Sequence, residues 1–198
     1  MFVTFEGVDW SGKSTQAKLL AAWLAEQGRV VLETREPGGT PVAEAVRDLV
    51  LHGDEMSPWA EAALYAAARA ENVDAVIRPA LARGEDVVCD RYLDSSVAYQ
   101  GAGRGLGEAA VRELSVLVTG GLFPDRTFLV GLDPERARER AGGDPDRIER
   151  AGWDFMRVVD RAYRELAAAE PGRIVVVDGD RPPAEIAEEV REHARSLL

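Results

Sequence analysis

The sequence predicts an α/β fold of three layers, in which a doubly wound parallel sheet of five strands is flanked by helices on both faces. Five short apolar runs recur along the 198 residues, and segments with helical periodicity separate them. Most of these runs are continuous rather than alternating, as is expected for parallel strands that are buried on both faces. Strand and helix alternate along the whole chain, which is typical of a doubly wound sheet.

The predicted elements follow directly from these patterns. The five predicted strands are Phe2–Phe5, Val30–Leu32, Val87–Cys89, Thr127–Leu132 and Ile174–Val177. The principal predicted helices cover 60–81, 108–118, 153–168 and 183–198, and a further one follows the first strand. Neither an internal repeat nor a linker is visible, so we expect a single domain over 1–198. Its least regular part is 136–150, an Arg-rich stretch interrupted by Gly, Pro and Asp, which we interpret as a mobile flap.

Composition narrows the functional classes. The net charge of −11 argues against a nucleic-acid-binding surface, which needs a basic face. No apolar run approaches the roughly 18 residues of a membrane span, and the N-terminus lacks a targeting pattern. Cys89 is the one cysteine, so no intrachain disulfide can form, and its apolar neighbours favour a packed core thiol. We therefore expect a cytoplasmic protein without nucleic-acid or membrane partners.

The loop after the first strand carries the strongest functional signal. Gly7–Ser14 fits the pattern G-x-x-x-x-G-K-[ST], with an apolar strand before it and an amphipathic helix after it. In that order, the loop N–H groups and the helix dipole converge on phosphate. We expect Lys13 to reach the β- and γ-phosphates of a nucleotide and the Ser14 hydroxyl to ligate Mg²⁺.

Charged residues at other strand ends extend this site. Asp90 follows an apolar strand, where a carboxylate can hold Mg²⁺ through water, and Arg91 offers a bidentate fork for a second phosphate. The alternative is that both are solvated strand-end charges. Asp9 would repel a triphosphate from within the loop, so we expect it to accept from a sugar hydroxyl or to orient Mg²⁺. Simple tolerance of a variable loop position is the alternative for Asp9.

Other nucleotide-binding classes fit less well. A guanine-reading N-K-x-D motif cannot exist, because Asn72 is the sole asparagine. In motor ATPases the second nucleotide-binding motif ends in two adjacent acidic residues, whereas here Asp90 is followed by Arg91. The residues therefore favour a small P-loop phosphotransferase whose acceptor is itself an anion.

The order of several motifs resembles a known family. The stretches EGVDWSGKST, TREPGGT, YAAAR, DRYLDSSVAYQGAGRG and DRIE are similar to those of bacterial thymidylate kinases, which are P-loop nucleoside monophosphate kinases. The resemblance implies transfer of the γ-phosphoryl of ATP to dTMP with Mg²⁺, giving dTDP and ADP for dTTP synthesis. It also implies a homodimer. The alternatives are another monophosphate kinase, for AMP or CMP, and a nucleotide-binding protein without kinase activity.

The resemblance also implies two sets of binding residues. ATP and its metal are expected at the phosphate loop, formed by Gly7, Val8, Asp9, Trp10, Ser11, Gly12, Lys13, Ser14 and Thr15, with Asp90 as a second metal residue. dTMP is expected to contact Asp9, Glu36, Arg47, Tyr65, Arg69, Arg91, Ser96, Tyr99 and Gln100.

Within the second set, the family suggests individual roles. Asp9 matches the acid on the 3′-hydroxyl, Arg91 the arginine on the dTMP phosphate, and Tyr99 the tyrosine that selects deoxyribose. Tyr65 and Arg69, four residues apart on one predicted helix, match the aromatic that stacks on thymine and the donor to its O4. Ser96 and Gln100 look like the pair that reads the base edge. Without the family, Tyr65 could be a core aromatic, Arg69 a solvated helix residue, and Ser95 and Ser96 a helix cap.

Trp10 is a departure from part of the family. Some thymidylate kinases carry an arginine at this place of the phosphate loop, so this chain resembles the subgroup that supplies a catalytic arginine from the flap. Arg140 and Arg147 are the candidates, with Arg138 third. Together with Lys13 and Arg91 they would spread the transition-state charge.

Overall fold

A computed structural model describes all 198 residues, and its five strands form one all-parallel sheet. The strands are Phe2–Glu6 (β1), Val31–Arg35 (β2), Asp86–Asp90 (β3), Arg126–Gly131 (β4) and Ile174–Asp178 (β5). Their order in the sheet is β2-β3-β1-β4-β5, which places β1 at the centre. The predicted fold class is confirmed, and each predicted strand lies within two residues of the observed one except at the end of β2. That edge strand continues through polar residues, which the apolar pattern could not reveal.

Helices cover both faces of this sheet. They are Lys13–Glu26 (α1), Pro41–His52 (α2), Pro58–Asn72 (α3), Arg78–Ala82 (α4), Leu93–Ser96 (α5), Glu108–Val118 (α6), Pro134–Arg140 (α7), Trp153–Ala169 (α8) and Pro183–Arg195 (α9). Two wide π turns, Val73–Ile77 and Val97–Gly103, continue α3 and α5, and a 3₁₀ turn spans Glu149–Ala151.

The long helix predicted over 60–81 is in fact divided. A π turn separates α3 from α4, and Pro79 lies in the first turn of α4. Proline cannot donate a backbone hydrogen bond, and the wider turn before it accommodates that loss. Helix α2 was not predicted. Its start is set by Pro41 in the first turn and by the Thr40 hydroxyl, which accepts from the Ala43 N–H at 3.1 Å.

The core lies on both sides of the central strand. Val3 and Phe5 of β1 pack with Leu20 and Leu24 of α1 and with Val190 of α9. On the opposite face, Phe2 packs with the π turn after α3 and with β3, including Cys89. Cys89 is fully buried, which confirms the prediction of a packed thiol.

The parallel topology gathers all strand ends at one edge. Glu6, Asp90, Gly131 and Asp178 end their strands on the same side, and the loops that follow them form the candidate site. No helix of the chain is both long enough and apolar enough to cross a membrane.

Candidate active site

The phosphate loop joins β1 to α1 and depends on glycine at two points. Gly7 has φ 142° and packs so closely that a Cβ would lie 2.6 Å from the Val130 carbonyl oxygen. Gly12 has φ 97° and caps α1, which begins at Lys13 with no acidic residue in its first turn. The positive end of a 14-residue helix is therefore aimed into the loop without a side chain that neutralises it.

Lys13 is buried beneath this loop and is held only weakly. Its Nζ lies 3.4 Å from the Val8 carbonyl oxygen and 3.4 Å from Asp9 Oδ1. Burial lowers the pKa of Lys13, the charge of Arg91 acts in the same direction, and Asp9 opposes both. Both contacts lie near the limit for a hydrogen bond, so the ammonium retains most of its capacity to bind an anion.

Asp9, Arg91 and Tyr99 form one cluster beside the loop. The Arg91 guanidinium donates to Asp9 Oδ1 and lies over the Tyr99 ring, 5.1 Å from its centroid. The Tyr99 hydroxyl donates to Asp9 Oδ2 at 3.1 Å. Burial would raise the pKa of Asp9, but Arg91 and then Lys13 outweigh it and hold that pKa well below its usual range. Asp9 is therefore ionised and can only accept hydrogen bonds.

A buried carboxylate at the end of β1 supports Arg91, and sequence reasoning missed it. Glu6 accepts from the Tyr92 N–H at 2.7 Å and from the Tyr163 hydroxyl at 2.9 Å, and the Ser95 hydroxyl also donates to it. Ser95 and Tyr163 in turn accept from Arg91 Nη1 at 3.2 and 3.3 Å. Arg91 has φ 69°, in the left-handed region, so its backbone is held in a strained turn directly after β3. The sequence feature that could have revealed Glu6 is its position as an acidic residue at the end of the mainly apolar strand β1.

Ser14 and Asp90, the predicted metal residues, line one cavity at the mouth of the loop. Asp90 Oδ1 is buried and has no hydrogen-bond partner within the protein. A carboxylate and a hydroxyl on one cavity are among the oxygen ligands that Mg²⁺ prefers. The chain has no group of three or more His, Cys, Asp or Glu side chains that could hold a metal by themselves.

A second cavity, which we call the acceptor cavity, opens beside Asp9 and Arg91. It contains all nine residues predicted to contact dTMP, namely Asp9, Glu36, Arg47, Tyr65, Arg69, Arg91, Ser96, Tyr99 and Gln100. These residues lie between the loop after β1 and the second π turn, and the fold places them around one cavity. Their assignment to a ligand remains a prediction.

Arg69 is the most constrained member of this set. It is 1% exposed, its Nε donates to Glu36 Oε2 at 2.7 Å, and Nη2 donates to Ser96 Oγ at 3.0 Å and to the Tyr92 carbonyl oxygen at 3.1 Å. Nη1 donates to Ser115 Oγ at 3.2 Å. Four of its five N–H groups are thereby used, and one remains for a ligand in the cavity. Ser95 and Ser96 do not cap a helix, because both lie inside α5.

Glu61 supports Gln100, a lining residue of the acceptor cavity, and was also missed. This carboxylate is 1% exposed and accepts from Gln100, Arg104 and Arg147. On α3 it precedes Tyr65 and Arg69 by one and two turns, so all three lie on one helix face. The four-residue spacing of Glu61, Tyr65 and Arg69 is the sequence feature that could have revealed Glu61.

The two flap arginines have different surroundings. Arg140 ends α7 and lies at the phosphate-loop side, where it donates to the Gly179 carbonyl oxygen at 3.0 Å and to Asp180 Oδ1 at 2.8 Å. Gly179 itself packs against the Ser11 carbonyl. Arg147 is instead 2% exposed, and it donates to the Val50 carbonyl oxygen at 2.8 Å as well as to Glu61.

Arg147 is thus held by Val50 and Glu61 rather than by the phosphate loop, and its catalytic role remains a prediction. Its guanidinium anchors the end of the flap behind the acceptor cavity, and its release would leave Glu61 short of a partner. Arg138, the third candidate, is an exposed residue of α7.

Trp10 links the phosphate loop to the flap. Its φ is 67°, its side chain is 40% exposed, and its indole Nε1 donates to Glu149 Oε1 at 3.1 Å. Trp10 also lines a cavity shared with flap residues Gly142 and Gly143 and with Trp153. The loop and the flap are thus in direct contact.

These features define a class of protein. A glycine loop at the end of the central strand, followed by a helix N-terminus and flanked by an arginine-lined cavity, is the arrangement of a P-loop phosphotransferase with a second, anionic substrate. A family model described as Thymidylate kinase matches residues 5–190. The chain belongs to the thymidylate kinase family.

Individual relatives agree with this assignment. A thymidylate kinase from Leifsonia xyli subsp. xyli is 55% identical over 196 residues, which cover 96% of this chain and 92% of that protein. One from Deinococcus radiodurans is 49% identical and covers 96% and 94%. The crystal structure of thymidylate kinase from Ehrlichia chaffeensis aligns with a TM-score of 0.79 and 32% identity over 98% of each chain. The predicted family and enzyme class, an ATP-dependent nucleoside monophosphate kinase, are confirmed.

Proposed function

We propose that the protein transfers the γ-phosphoryl group of ATP to dTMP, and that the acceptor cavity holds dTMP. The observation that carries this proposal is that all nine predicted dTMP residues line one cavity. One of them, Asp9, belongs to the phosphate loop, and another, Arg91, donates to Asp9. In the reaction, an oxygen of the dTMP phosphate forms a bond to the γ-phosphorus, and the bond from that phosphorus to the β-bridging oxygen breaks. The products are dTDP and ADP.

Positioning and charge account for catalysis in this proposal. The acceptor oxygen is already ionised at neutral pH, so no general base is required, and the protein needs mainly to align the two phosphates. Lys13 and the N-terminus of α1 bind the ATP phosphates, and Arg91 binds the dTMP phosphate. Asp9 holds Arg91 in the free enzyme and accepts from the sugar 3′-hydroxyl when dTMP is bound.

Magnesium is proposed at Ser14 and Asp90. Ser14 and Asp90 line one cavity, and Asp90 Oδ1 has no hydrogen-bond partner within the protein, which supports a site for a hydrated divalent ion. When bound, Mg²⁺ would supply charge neutralisation on the phosphate oxygens.

A flap cation completes the proposed site. Trp10 brings no charge to the phosphate loop, so any cation that joins Lys13 and Arg91 at the transferred phosphoryl has to come from outside the loop. Arg140 is the candidate, because it is half-exposed and sits next to the loop after β5 that packs on Ser11. Exchange of its Asp180 contact for a phosphate contact would accompany closure of the flap, which also excludes water from the reaction.

We further propose a homodimer in the cytoplasm. The exposed apolar residues Val42 and Leu49 of α2 and Trp59 of α3 are 57%, 47% and 50% exposed, and α2 and α3 are adjacent. Apolar side chains on neighbouring helices are suited to a contact between two copies. A cytoplasmic location is supported by the need for ATP as a substrate and by the buried free thiol of Cys89.

The test is ADP release with ATP, Mg²⁺ and one nucleoside monophosphate at a time. dTMP, dUMP, dCMP, AMP and CMP form the panel, with ATP alone as the blank. We expect ADP formation above the blank with dTMP, and much less with dCMP, AMP or CMP. A preference for AMP or CMP would reassign the substrate, and no acceptor-dependent ADP at all would reject a kinase.

A further inference from the structure

Glu61 is a buried carboxylate at the base end of the acceptor cavity, the part formed by Arg69, Gln100 and Glu61, and its partners are donors from other elements. Its Oε1 accepts from Gln100 Nε2 at 2.9 Å and from Arg104 Nε at 3.1 Å. Its Oε2 accepts from Arg104 Nη2 at 3.1 Å and lies 2.8 Å from Arg147 Nη1. Two arginines and one amide therefore meet on this single carboxylate.

The ionisation of Glu61 follows from these contacts. Burial acts to raise the pKa of Glu61, but the hydrogen bonds from Arg104, Gln100 and Arg147 outweigh it and bring the pKa below its ordinary value. The group is therefore a carboxylate at neutral pH, and a carboxylate has only acceptor sites.

An acceptor-only partner fixes the orientation of the Gln100 amide. The –NH₂ end has to face Glu61, since the carbonyl end would place two acceptors against each other. Gln100 lines the acceptor cavity, so its Oε1 is the amide atom left for a ligand. Arg69 and Gln100 both line the cavity, so these two residues leave an acceptor, Gln100 Oε1, and a donor, the remaining N–H of Arg69, for a ligand.

We infer that Glu61 is a specificity-determining positioning residue, which orients Gln100 so that the cavity accepts a ring N–H and donates to a ring carbonyl. This inference rests on the proposed function. Thymine and uracil have N3–H beside the O4 carbonyl and match that pattern. Cytosine has an N3 acceptor beside an amino donor, so both of its groups oppose those of the cavity.

The test compares the ratio of kcat/KM for dTMP to kcat/KM for dCMP in wild type and in Glu61→Gln. A glutamine at this place can donate as well as accept, so the Gln100 amide becomes free to turn. We expect the ratio to fall by about tenfold or more, with the KM for ATP unchanged. An unchanged ratio in a folded Glu61→Gln protein overturns the inference.

Two further variants separate orientation from general damage. In a Gln100→Met background the amide is absent, so adding Glu61→Gln should cause no further loss of the ratio; an additive loss means that Glu61 does not act through Gln100. Asp94→Asn is the matched control, because Asp94 is also 1% exposed and is paired with Arg173, outside the cavity. Its ratio should equal that of wild type.

A second variant controls for loss of folding. If Glu61→Gln alone does not fold, the double variant Arg104→Met/Glu61→Gln removes one charge of each sign and carries the same prediction for the ratio. Wild type is measured first. Absence of dTMP turnover in wild type rejects the proposed function. If wild type turns over dTMP but the variants keep the wild-type ratio of kcat/KM for dTMP to dCMP, only the role of Glu61 is rejected.

Discussion

The phosphate loop and the base end of the acceptor cavity are built in different ways. The loop consists of consecutive residues, and its key cation, Lys13, has contacts of 3.4 Å only. The base end consists of side chains from separate elements, where Arg69 and Glu61 are each 1% exposed and bind mainly other groups of the protein. The charge of Lys13 is thus available for a ligand. The charges of Arg69 and Glu61 are instead paired within the protein, and these contacts fix the positions of the cavity side chains.

This difference predicts different consequences of mutation. A loop residue should affect the rate of the reaction and leave folding intact, because its partner is the substrate. A residue of the base end should affect stability or selectivity, because its partners belong to the protein.

Arg69→Ala should have the largest effect on folding. It would leave Glu36, 4% exposed, as a buried charge without its partner, at a cost of about 3–5 kcal/mol in the free energy of unfolding. Arg35→Ala is the control, because the Arg35–Glu44 pair is exposed and such pairs contribute about 0–1 kcal/mol. Urea unfolding of both variants measures the difference, and equal losses would show that burial does not distinguish the two pairs.

Lys13→Ala should have the largest effect on catalysis. Loss of the ammonium removes a charge that stabilises the transferred phosphoryl, so kcat should fall by about 10²–10³-fold or more. Circular dichroism and the unfolding midpoint should stay close to wild type, since Lys13 has weak internal contacts. Turnover within tenfold of wild type would refute the assignment of the loop.

Arg140→Ala and Arg147→Ala should separate the two flap arginines. Arg140→Ala should lower kcat more than tenfold with little change in dTMP affinity, since its proposed phosphate contact forms mainly in the transition state. Arg147→Ala should lower stability and dTMP affinity more than kcat, because it removes a buried partner of Glu61. The reverse assignment of the two effects would place the catalytic cation at Arg147.

Glu6→Gln should change how stability depends on pH. Burial, and then the charge of Asp94, raise the pKa of Glu6 from its ordinary 4.5 to about 7. Between these values the folded state holds a proton that the unfolded chain has released. The contribution of Glu6 is therefore complete below pH 4.5 and is lost as the pH rises through 7. Unfolding free energies from pH 5 to 8 should decline less steeply in Glu6→Gln than in wild type; the exposed Glu44→Gln variant should retain the wild-type slope.

The same division explains what the sequence could predict. The strands, the glycine loop and its helix are local patterns, so β1, α1 and the role of Gly7–Ser14 follow from adjacent residues. Of the nine predicted dTMP residues, Asp9 and Arg91 were also indicated by their charge and position at strand ends, whereas the other seven came from family motifs and not from periodicity. Glu61 and Glu6 were missed because their partners, Arg147 and Tyr163, are far away in the chain, and only the fold brings them together.

Arg147 illustrates the limit most clearly. In the sequence it is one of several flap arginines, and nothing local distinguishes it from Arg140. Burial against Val50 and Glu61 is a tertiary property, set by the packing of the flap end on α2 and α3. A pattern of arginines therefore predicts the presence of a cation in the flap but not which of them faces the phosphates.

The most direct test of the division is a crossed measurement on two variants, Lys13→Ala and Gln100→Met. Values of kcat/KM are determined for dTMP and for dCMP with each variant and with wild type. We predict that Lys13→Ala lowers both values by the same factor and leaves their ratio unchanged, whereas Gln100→Met lowers the ratio and changes the KM for ATP little. A changed ratio in Lys13→Ala, or an unchanged ratio in Gln100→Met, would contradict the separation of catalysis from base selectivity.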